Sequence, residues 1–327
     1  MSLIPEISII YVNYNSLNEL RESISSVVKQ TSIPFEILIV NNQPKEDLKV
    51  LCDLHSKIKV IELDHNAGFG KACNVGIKAS QTDFVLLLNP DTLLLEDSIS
   101  KCLQTYKKLD SKTTGLLSCG HYNDSEAFEY SSILRKNLPV FPFLRLPWKR
   151  LFYSAKGIYN LSKEIELRHQ NSHYTYAIHG SFVLASKTLL IDFPFDEDFF
   201  LYGEEIDLCR RLNEAGKPSY FYACTSILHT SQRAKRNTSI RFQMHLSASL
   251  LVLKYYGRSG YALYYLLRIT RSIPLAVLRY LLPNPMRIKV NSHLMDYRPF
   301  STEHLRVFRY KRKINSLRPL KSKLLSA

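Results

Sequence analysis

The first 115 residues alternate between two hydrophobic patterns. Short runs of apolar, mostly β-branched residues recur at ISIIYV (7–12), FEILIV (35–40), IKVIEL (58–63) and DFVLLL (83–88). Between these runs, apolar residues fall three and four positions apart, which is the spacing of one face of a helix. Buried strands that alternate with helices predict an α/β fold, with a mostly parallel sheet and helices on both faces.

The first predicted helix, in SLNELRESISSVVKQ, has a recognisable start. Ser16 and Glu19 form the S-x-x-E pattern of a capping box, which predicts that the Ser16 hydroxyl bonds the first turn. The segments KEDLKVLCDLH, GKACNVGIKAS and LEDSISKCLQTYKKL each predict one further helix after a strand.

The pattern is less regular after this first part. Residues 120–178 show no clean periodicity and include LPVFPFLRLPW, so we predict a long loop beside a site. GSFVLASKTLL (180–190) predicts a strand that enters a helix. LYGEEIDLCRRLNEAGKP predicts a helix that ends at Gly216, and SYFYACTSILH (219–229) predicts a last strand.

The last third differs in both pattern and charge. It carries 20 Lys/Arg against 2 Asp/Glu from Thr230 to Ala327, while the whole chain has a net charge of +15. No apolar run reaches the roughly 18 residues of a spanning helix. We expect either interfacial helices on an anionic membrane or a helical appendage packed on the domain, and the pattern leaves both open.

These observations predict two domains. The first is an α/β domain over residues 1–230, with halves at 1–115 and 116–230, and the second is a basic amphipathic helical extension over residues 231–327.

Cysteine usage and the N-terminal segment bear on the compartment. The six cysteines include no C-x-x-C pair and no metal-binding spacing, so we expect buried, reduced thiols in a reducing compartment. The N-terminal MSLIPEISIIYVNYN has neither the basic start nor the apolar core of a signal peptide, so we expect no secretory signal.

Polar clusters follow the first four predicted strands. They are Asn13-Tyr14-Asn15, Asn41-Asn42-Gln43, NAGFGKACNVG (66–76) and Asn89-Pro90-Asp91. Each alone is typical of a turn. The carboxyl ends of parallel strands share one edge, however, and open α/β sheets bind ligands there. The candidate ligand contacts are Asn13, Asn15, Asn41, Asn66, Gly68, Gly70, Lys71, Asn74 and Asn89.

The glycine loop does not match the dinucleotide fingerprint. Gly68, Gly70 and Gly76 have the wrong spacing and follow the third strand rather than the first. The loop still allows close backbone approach to a nucleotide. Lys71 either meets a phosphate or is a solvated surface lysine.

Three kinds of side chain carry candidate chemistry. Asp91 offers a hard oxygen ligand, and one carboxylate suffices for Mg²⁺ or Mn²⁺ when substrate phosphates and water supply the remaining ligands. His229 is a second candidate ligand or a structural histidine. Glu204 and Glu205 open a predicted helix, where acids favour the helix dipole, and either is a candidate general base.

The ordered motifs resemble glycosyltransferase family 2, and most closely its bacterial rhamnosyltransferase branch. They are VNYNS, VNNQ, NAGFGKACNVG, LLLNPDT, GSFVLASKTL and FFLYGEEIDLCRRL, spread over residues 7–229. The resemblance implies a GT-A fold and inverting sugar transfer from a nucleotide-diphospho-sugar. It implies Asp91 as metal ligand in place of the DxD motif, and His229 near the diphosphate.

The resemblance also implies the position of the general base. This sequence departs from the family pattern at two motifs. The family's E-D pair is Glu204-Glu205 here, with Glu205 the first choice as base and Glu204 the second. The family's V-D-N reads Val40-Asn41-Asn42. Its Asp normally receives a hydrogen bond from a pyrimidine ring, and Asn41 retains only an uncharged acceptor.

The function implied is transfer of a sugar, by first choice rhamnose from dTDP-rhamnose, to a lipid-linked acceptor in surface-polysaccharide (O-antigen) biosynthesis. We expect the enzyme in the cytoplasm, on the inner face of the membrane. The alternatives are a hexosyltransferase that uses UDP- or GDP-sugar, a nucleotidyltransferase, and a nucleic-acid-binding protein with a degenerate enzyme domain. No nucleic-acid-binding motif occurs, so we expect no nucleic-acid partner.

Overall fold

A computed structural model describes most of the chain. The described residues are 4–44, 46–123, 128–129, 132–133, 167, 169–230 and 238–281. Most of the predicted loop at 120–178, and the extension beyond residue 281, lie outside them. The chain forms two compact units, one of residues 1–136, 147–200 and 204–232, the other of residues 137–146, 201–203 and 233–327.

The first unit contains twelve described strands. They are β1 (Ile7–Asn13), β2 (Phe35–Asn41), β3 (Ile58–Glu62), β4 (Phe84–Leu88), β5 (Thr92–Leu94), β6 (Leu117–Tyr122), β7 (Phe128–Glu129), β8 (Ser132–Ile133), β9 (His173–Thr175), β10 (Ala177–Ile178), β11 (Phe182–Ser186) and β12 (Ser219–His229). Its helices are α1 (Leu17–Gln30), a 3₁₀ helix (Lys49–Leu54), α2 (Phe69–Ala79), α3 (Ser98–Lys108), α4 (Lys187–Asp192) and α5 (Glu204–Glu214).

The main sheet has the strand order β3-β2-β1-β4-β11-β6-β12-β5, with β7 beside β6 and β9 beside β12. The neighbours from β3 to β4 are parallel, as predicted. β11 lies antiparallel to β4 and β6, and β12 lies parallel to β6. The strand order reverses between β1 and β4, so their carboxyl ends flank a crevice of the kind that binds ligands in α/β proteins.

The predicted apolar strands form the core of this unit. Every residue of β1 and β2 is buried, as expected for strands covered on both faces. Gly76 of α2 allows close helix packing, because a Cβ there would stand 2.5 Å from Ile10 Cγ2. Four of the six cysteines are buried, as predicted, whereas Cys52 and Cys224 are exposed.

Several local predictions were wrong. The Ser16 hydroxyl caps nothing in α1, because it donates to Asn13 Oδ1 at 2.8 Å. Where an α-helix was predicted in KEDLKVLCDLH, the structure has a short 3₁₀ helix, Lys49–Leu54, with Leu48 and Leu51 buried. Part of the region predicted as a loop, 120–178, forms strands: β6 extends into it as far as Tyr122, and β9 and β10 lie within it.

The second unit is described mainly by one helix, α6 (Thr238–Leu281), which is broken at Gly257 with φ +68°. Leu251, Val252 and Leu253 are buried before the break, whereas Leu263 and Leu266 are exposed after it. Among the described residues, no helix combines the length and apolarity that crossing a membrane requires.

Candidate active site

Asn13 and Asn41, predicted as ligand contacts, are buried at the ends of β1 and β2. Asn13 Nδ2 donates to Asn41 Oδ1 at 3.0 Å and to Glu46 Oε2 at 2.7 Å. Asn41 Oδ1 also accepts from the Gln43 amide at 3.2 Å. Asn41 Nδ2 donates to the Glu46 carbonyl at 2.9 Å and to Glu62 Oε2 at 2.8 Å. Asn41 therefore has no lone pair left for a nucleotide base, contrary to our expectation.

Hydrogen bonds between protein groups also fix the loop before α2. Asn42 Nδ2 donates to Asn66 Oδ1 at 2.9 Å, and Asn42 Oδ1 accepts from the Ala67 amide at 2.8 Å. Asn66 Oδ1 also accepts from the Gly68 amide at 3.1 Å. These bonds fix the loop between β3 and α2 from the end of β2.

The two loop glycines face a protein segment at close range. Gly68 has φ +89°, and a Cβ there would lie 2.6 Å from the Phe200 carbonyl oxygen. At Gly70 a Cβ would lie 3.2 Å from Phe195 Cβ. The close approach that we predicted for a nucleotide is thus made by residues 195–200, which lead toward α5.

Asn74 ties α2 to that same segment. Its Nδ2 donates to the Phe195 carbonyl at 2.9 Å, and its Oδ1 accepts from the Phe195 amide at 3.0 Å. Nδ2 also lies 3.2 Å from Glu197 Oε1. Asn74 is buried, so its side chain holds α2 against the segment of residues 195–200.

The remaining predicted ligand contacts are more accessible. Asn15 is exposed with φ +54°, and its Oδ1 accepts from Gln43 Nε2 at 3.0 Å. Lys71 is exposed on the first turn of α2, and Asn89 is half-buried at the end of β4. These three residues retain the accessibility that contact with a ligand requires.

Asp91 and His229 come together, as predicted from sequence. Asp91 lies in the turn between β4 and β5, and its backbone carbonyl accepts from the Thr230 amide at 2.8 Å. Because β12 pairs with β5, the last residue of β12 reaches this turn. His229 Nε2 lies 3.4 Å from Asp91 Oδ1, with 9% of the His229 side chain and 35% of the Asp91 side chain exposed.

Two further histidines surround this pair, and sequence reasoning missed both. The ring centroids of His121 and His179 lie 6.3 Å and 5.5 Å from that of His229, and 5.7 Å from each other. His121 is buried near the end of β6 and His179 is exposed just before β11. Their one sequence signal is a histidine close to a strand end: His121 lay inside the region that we predicted as a loop, and His179 lay between that region and the next predicted strand.

His121 is held neutral by its surroundings. Burial lowers the pKa of His121 well below its usual range, and the neighbouring His179 and His229 lower it further. Its Nδ1 lies 2.9 Å from the Cys119 carbonyl oxygen, which only accepts, so Nδ1 carries the proton. His121 Nε2 then carries a buried lone pair, and this atom has no hydrogen-bond partner among the described residues.

The two acids at the start of α5 stand in different environments. Glu204 is buried, and its Oε2 has no hydrogen-bond partner within the described part of the chain. Burial raises the pKa of Glu204 well above its usual range, and the charge of Glu205 raises it further. Glu205 is only partly buried. The two carboxyl groups therefore differ: Glu204 is buried with a raised pKa, and Glu205 is more accessible.

A three-residue segment links these acids to the histidines. A Cβ on Gly180 would lie 3.8 Å from both Cβ and Cγ of Glu205. The preceding residue, His179, packs its ring beside His229. Glu205 therefore lies beside the segment from His179 to Ser181, which also contacts His229.

The donor atoms at Asp91 fit a divalent cation. A carboxylate oxygen and an imidazole nitrogen 3.4 Å apart are ligand types that suit Mn²⁺, and the carboxylate also suits Mg²⁺. Among the described residues, no three ligating side chains converge on one point. A cation held by Asp91 and His229 would therefore take its other ligands from substrate and water.

Comparison with known proteins agrees with this geometry. Residues 8–156 match the family model of glycosyl transferase family 2. An uncharacterized glycosyltransferase of Rickettsia typhi, RT0329, is 31% identical over 117 residues, which is 36% of each chain. The low-salt glycan biosynthesis hexosyltransferase Agl10 of Haloferax volcanii is 26% identical over 215 residues, 64% of this chain and 62% of its own. The chain thus spans less than two-thirds of either relative.

The fold is of the GT-A type, as predicted. The mannosyltransferase PcManGT from Pyrobaculum calidifontis, solved in complex with GDP-Man and Mn²⁺, superposes with a TM-score of 0.54. The match covers 94% of this chain and 86% of that one at 14% sequence identity. At this identity the likeness concerns the fold.

Proposed function

We propose that the protein is a glycosyltransferase that moves a sugar from a nucleotide-diphospho-sugar to a hydroxyl group. The observation that carries the proposal is the pairing of Asp91 with His229, joined through His179–Ser181 to the accessible carboxylate of Glu205. In this proposal, Asp91 and His229 would hold a cation and the diphosphate, and Glu205 would act as the general base, at the crevice edge of the sheet. The match to family 2 and the relatives named glycosyltransferases support it.

The carboxylate of Glu205 accepts the proton of the acceptor hydroxyl in this mechanism. The acceptor oxygen then forms a bond to the anomeric carbon, on the face opposite the diphosphate. The bond between that carbon and the phosphate oxygen breaks, and its electron pair stays on the diphosphate. Displacement from the opposite face inverts the anomeric configuration. Glu204 is the second choice as base, because it is buried and its raised pKa favours the protonated form.

The leaving diphosphate requires charge stabilisation. Asp91 and His229 would hold a divalent cation, Mg²⁺ or Mn²⁺, which supplies Lewis-acid stabilisation of the diphosphate oxygens when bound. Asp91 is fixed for this task by the Thr230 bond to its backbone carbonyl, and His229 by its place in the β12–β5 pair.

The motif resemblance favours rhamnose from dTDP-rhamnose, with a lipid-linked saccharide as acceptor in surface-polysaccharide biosynthesis. UDP- and GDP-hexoses are the alternatives, and the relative Agl10 is named a hexosyltransferase. Both acceptor lone pairs of Asn41 Oδ1 are used inside the protein, so the Asn41 side chain does not support recognition of a pyrimidine ring.

A transfer assay tests the proposal. The protein is incubated with dTDP-, UDP- and GDP-sugars, MnCl₂ and a bacterial glycolipid extract, and release of nucleoside diphosphate is measured. We expect release from one nucleotide class that depends on both extract and metal. No release from any of these donors above a heat-denatured control would contradict the proposal.

The basic extension supports a place on the cytoplasmic face of an anionic membrane, where a lipid-linked acceptor resides. Within the second unit, the apolar residues Tyr256, Leu263 and Leu266 are exposed on α6, in a region with 20 Lys/Arg and 2 Asp/Glu. Exposed apolar side chains on a basic helix are typical of interfacial helices.

Liposome sedimentation tests that placement. We expect binding to vesicles with anionic phospholipid and not to zwitterionic ones, weakened by Leu263→Glu with Leu266→Glu. Leu95→Glu, at an exposed leucine of the first unit, is the matched control and should bind like wild type. Equal binding to both kinds of vesicle would contradict the electrostatic part. Salt-sensitive binding to DNA or RNA instead would favour the nucleic-acid alternative.

A further inference from the structure

The hydrogen bonds of His179 determine which ring nitrogen carries its proton. Nδ1 accepts from the Ser181 backbone amide at 3.3 Å and lies 2.9 Å from the Ser181 hydroxyl. A backbone N–H only donates, so Nδ1 presents its lone pair. The neutral ring therefore carries its proton on Nε2 and is a hydrogen-bond donor at that end.

The neighbouring ring of His121 has the opposite arrangement. Its Nδ1–H donates to the Cys119 carbonyl, which leaves Nε2 as an acceptor in a buried position. His121 thus offers no second donor at its Nε2 end. His179 is also exposed, whereas His121 and His229 are buried. Of the three rings, His179 is the accessible one, and Nε2 is the nitrogen that carries an N–H group.

His179 stands between the two halves of the proposed chemistry. On one side, its ring centroid lies 5.5 Å from that of His229, which contacts Asp91. On the other side, the next residue, Gly180, packs against Glu205. A diphosphate held at Asp91 with its sugar directed toward Glu205 would place its terminal phosphate beside this ring.

We propose that His179 is a diphosphate-binding residue, whose Nε2–H donates a hydrogen bond to a β-phosphate oxygen of the nucleotide donor. When the anomeric carbon–oxygen bond breaks, the electron pair and the added negative charge remain on that phosphate. A donor fixed by the Ser181 amide strengthens its bond as this charge develops, and no proton is transferred. This inference rests on the proposed glycosyl transfer and adds the residue that contacts the leaving group.

Nucleotide affinities test the assignment. Isothermal titration calorimetry with MnCl₂ measures binding of UDP, GDP and dTDP, and of the matching monophosphates, which lack the β-phosphate. For the base that wild type binds, His179→Ala should lose about tenfold or more in diphosphate affinity, the scale of a hydrogen bond to a charged group. Monophosphate affinity and melting temperature should remain at the wild-type values.

Two variants sharpen the test. His179→Gln restores an amide N–H near the Nε2 position and should bind the diphosphate within about threefold of wild type, because the donor is retained. His173→Gln, on β9, replaces a histidine whose Nδ1 lies 2.7 Å from the Asn171 carbonyl oxygen, and serves as the matched control with unchanged affinity.

The outcomes separate this inference from the proposed function. Wild-type diphosphate binding that is unchanged in His179→Ala overturns the inference and leaves the transferase intact. An equal loss for diphosphate and monophosphate also overturns it, because the residue would then act on the fold. A wild type that binds none of the nucleotides overturns the proposed function, and the inference with it.

Discussion

The two sides of the crevice use polar side chains in different ways. Beside β1, β2 and α2, the amides of Asn13, Asn41 and Asn74 are buried, and their hydrogen-bonding groups are engaged by the protein itself. Beside β11, β12 and α5, His121 and Glu204 keep buried polar atoms without hydrogen-bond partners in the described chain, and their pKa values are shifted. In the proposed function, the first side is a structural frame and the second supplies the reactive groups, because shifted pKa values and unpartnered buried polar atoms are typical of catalytic sites.

The largest expected effect separates the two acids of α5. Glu205→Gln should lower the transfer rate by about 10²–10⁴-fold, the usual contribution of a general base. Glu204→Gln, one residue away, should retain most of the activity, because the raised pKa of Glu204 favours the protonated acid, which glutamine resembles. Initial rates of diphosphate release measure both. If Glu204→Gln is the inactive variant instead, the assignment of the two acids is reversed.

Substitutions in the frame should lower the stability of the protein without acting on the transfer step. Asn74→Ala removes both hydrogen bonds to the buried Phe195 backbone, so we expect a loss of about 2–4 kcal/mol in the free energy of unfolding. Asn15→Gly is the control: it removes an exposed amide at a positive φ that glycine tolerates, and should change stability by less than about 0.5 kcal/mol. Urea denaturation measures both. Equal stability of the two variants would contradict the division into frame and reactive groups.

A smaller effect concerns stability and pH. The pKa of Glu204 is raised in the folded protein above its ordinary value of 4.5, so the folded state holds this proton more tightly than the unfolded state. The contribution to stability is present below pH 4.5 and is lost as the pH rises. Glu204→Gln lacks this loss, so its melting temperature should exceed that of wild type increasingly from pH 4.5 toward neutrality. A constant difference across this range would show that Glu204 does not titrate abnormally.

The sequence predicted the parts of this picture that depend on local pattern. The strands of the parallel half could be read from apolar runs, and His229, at the end of the last predicted strand, was a candidate second ligand beside Asp91. The predicted capping box was wrong because Asn13, at the end of β1, takes the Ser16 hydroxyl. Nothing local to Ser16 reveals that competitor.

Which asparagines bond to the protein and which remain accessible could not be predicted from local pattern. The partners that engage Asn41 and Asn74 include Glu62, 21 positions away, and Phe195, 121 positions away. Whether an amide is satisfied by the protein or left for a ligand depends on such long-range contacts. His121 and His179 were missed for a related reason, because only the pairing of β6 with β12 and of β11 with β4 brings their rings to His229.

The most direct test of the account is metal-dependent donor binding at Asp91. Melting temperatures of wild type, Asp91→Asn and the exposed-acid control Asp53→Asn are compared with dTDP, UDP and GDP, each with and without MnCl₂. We predict that one nucleotide raises the melting temperature of wild type and of Asp53→Asn only when Mn²⁺ is present, and that Asp91→Asn loses this rise. Stabilisation of Asp91→Asn equal to that of wild type would contradict a donor diphosphate site at Asp91.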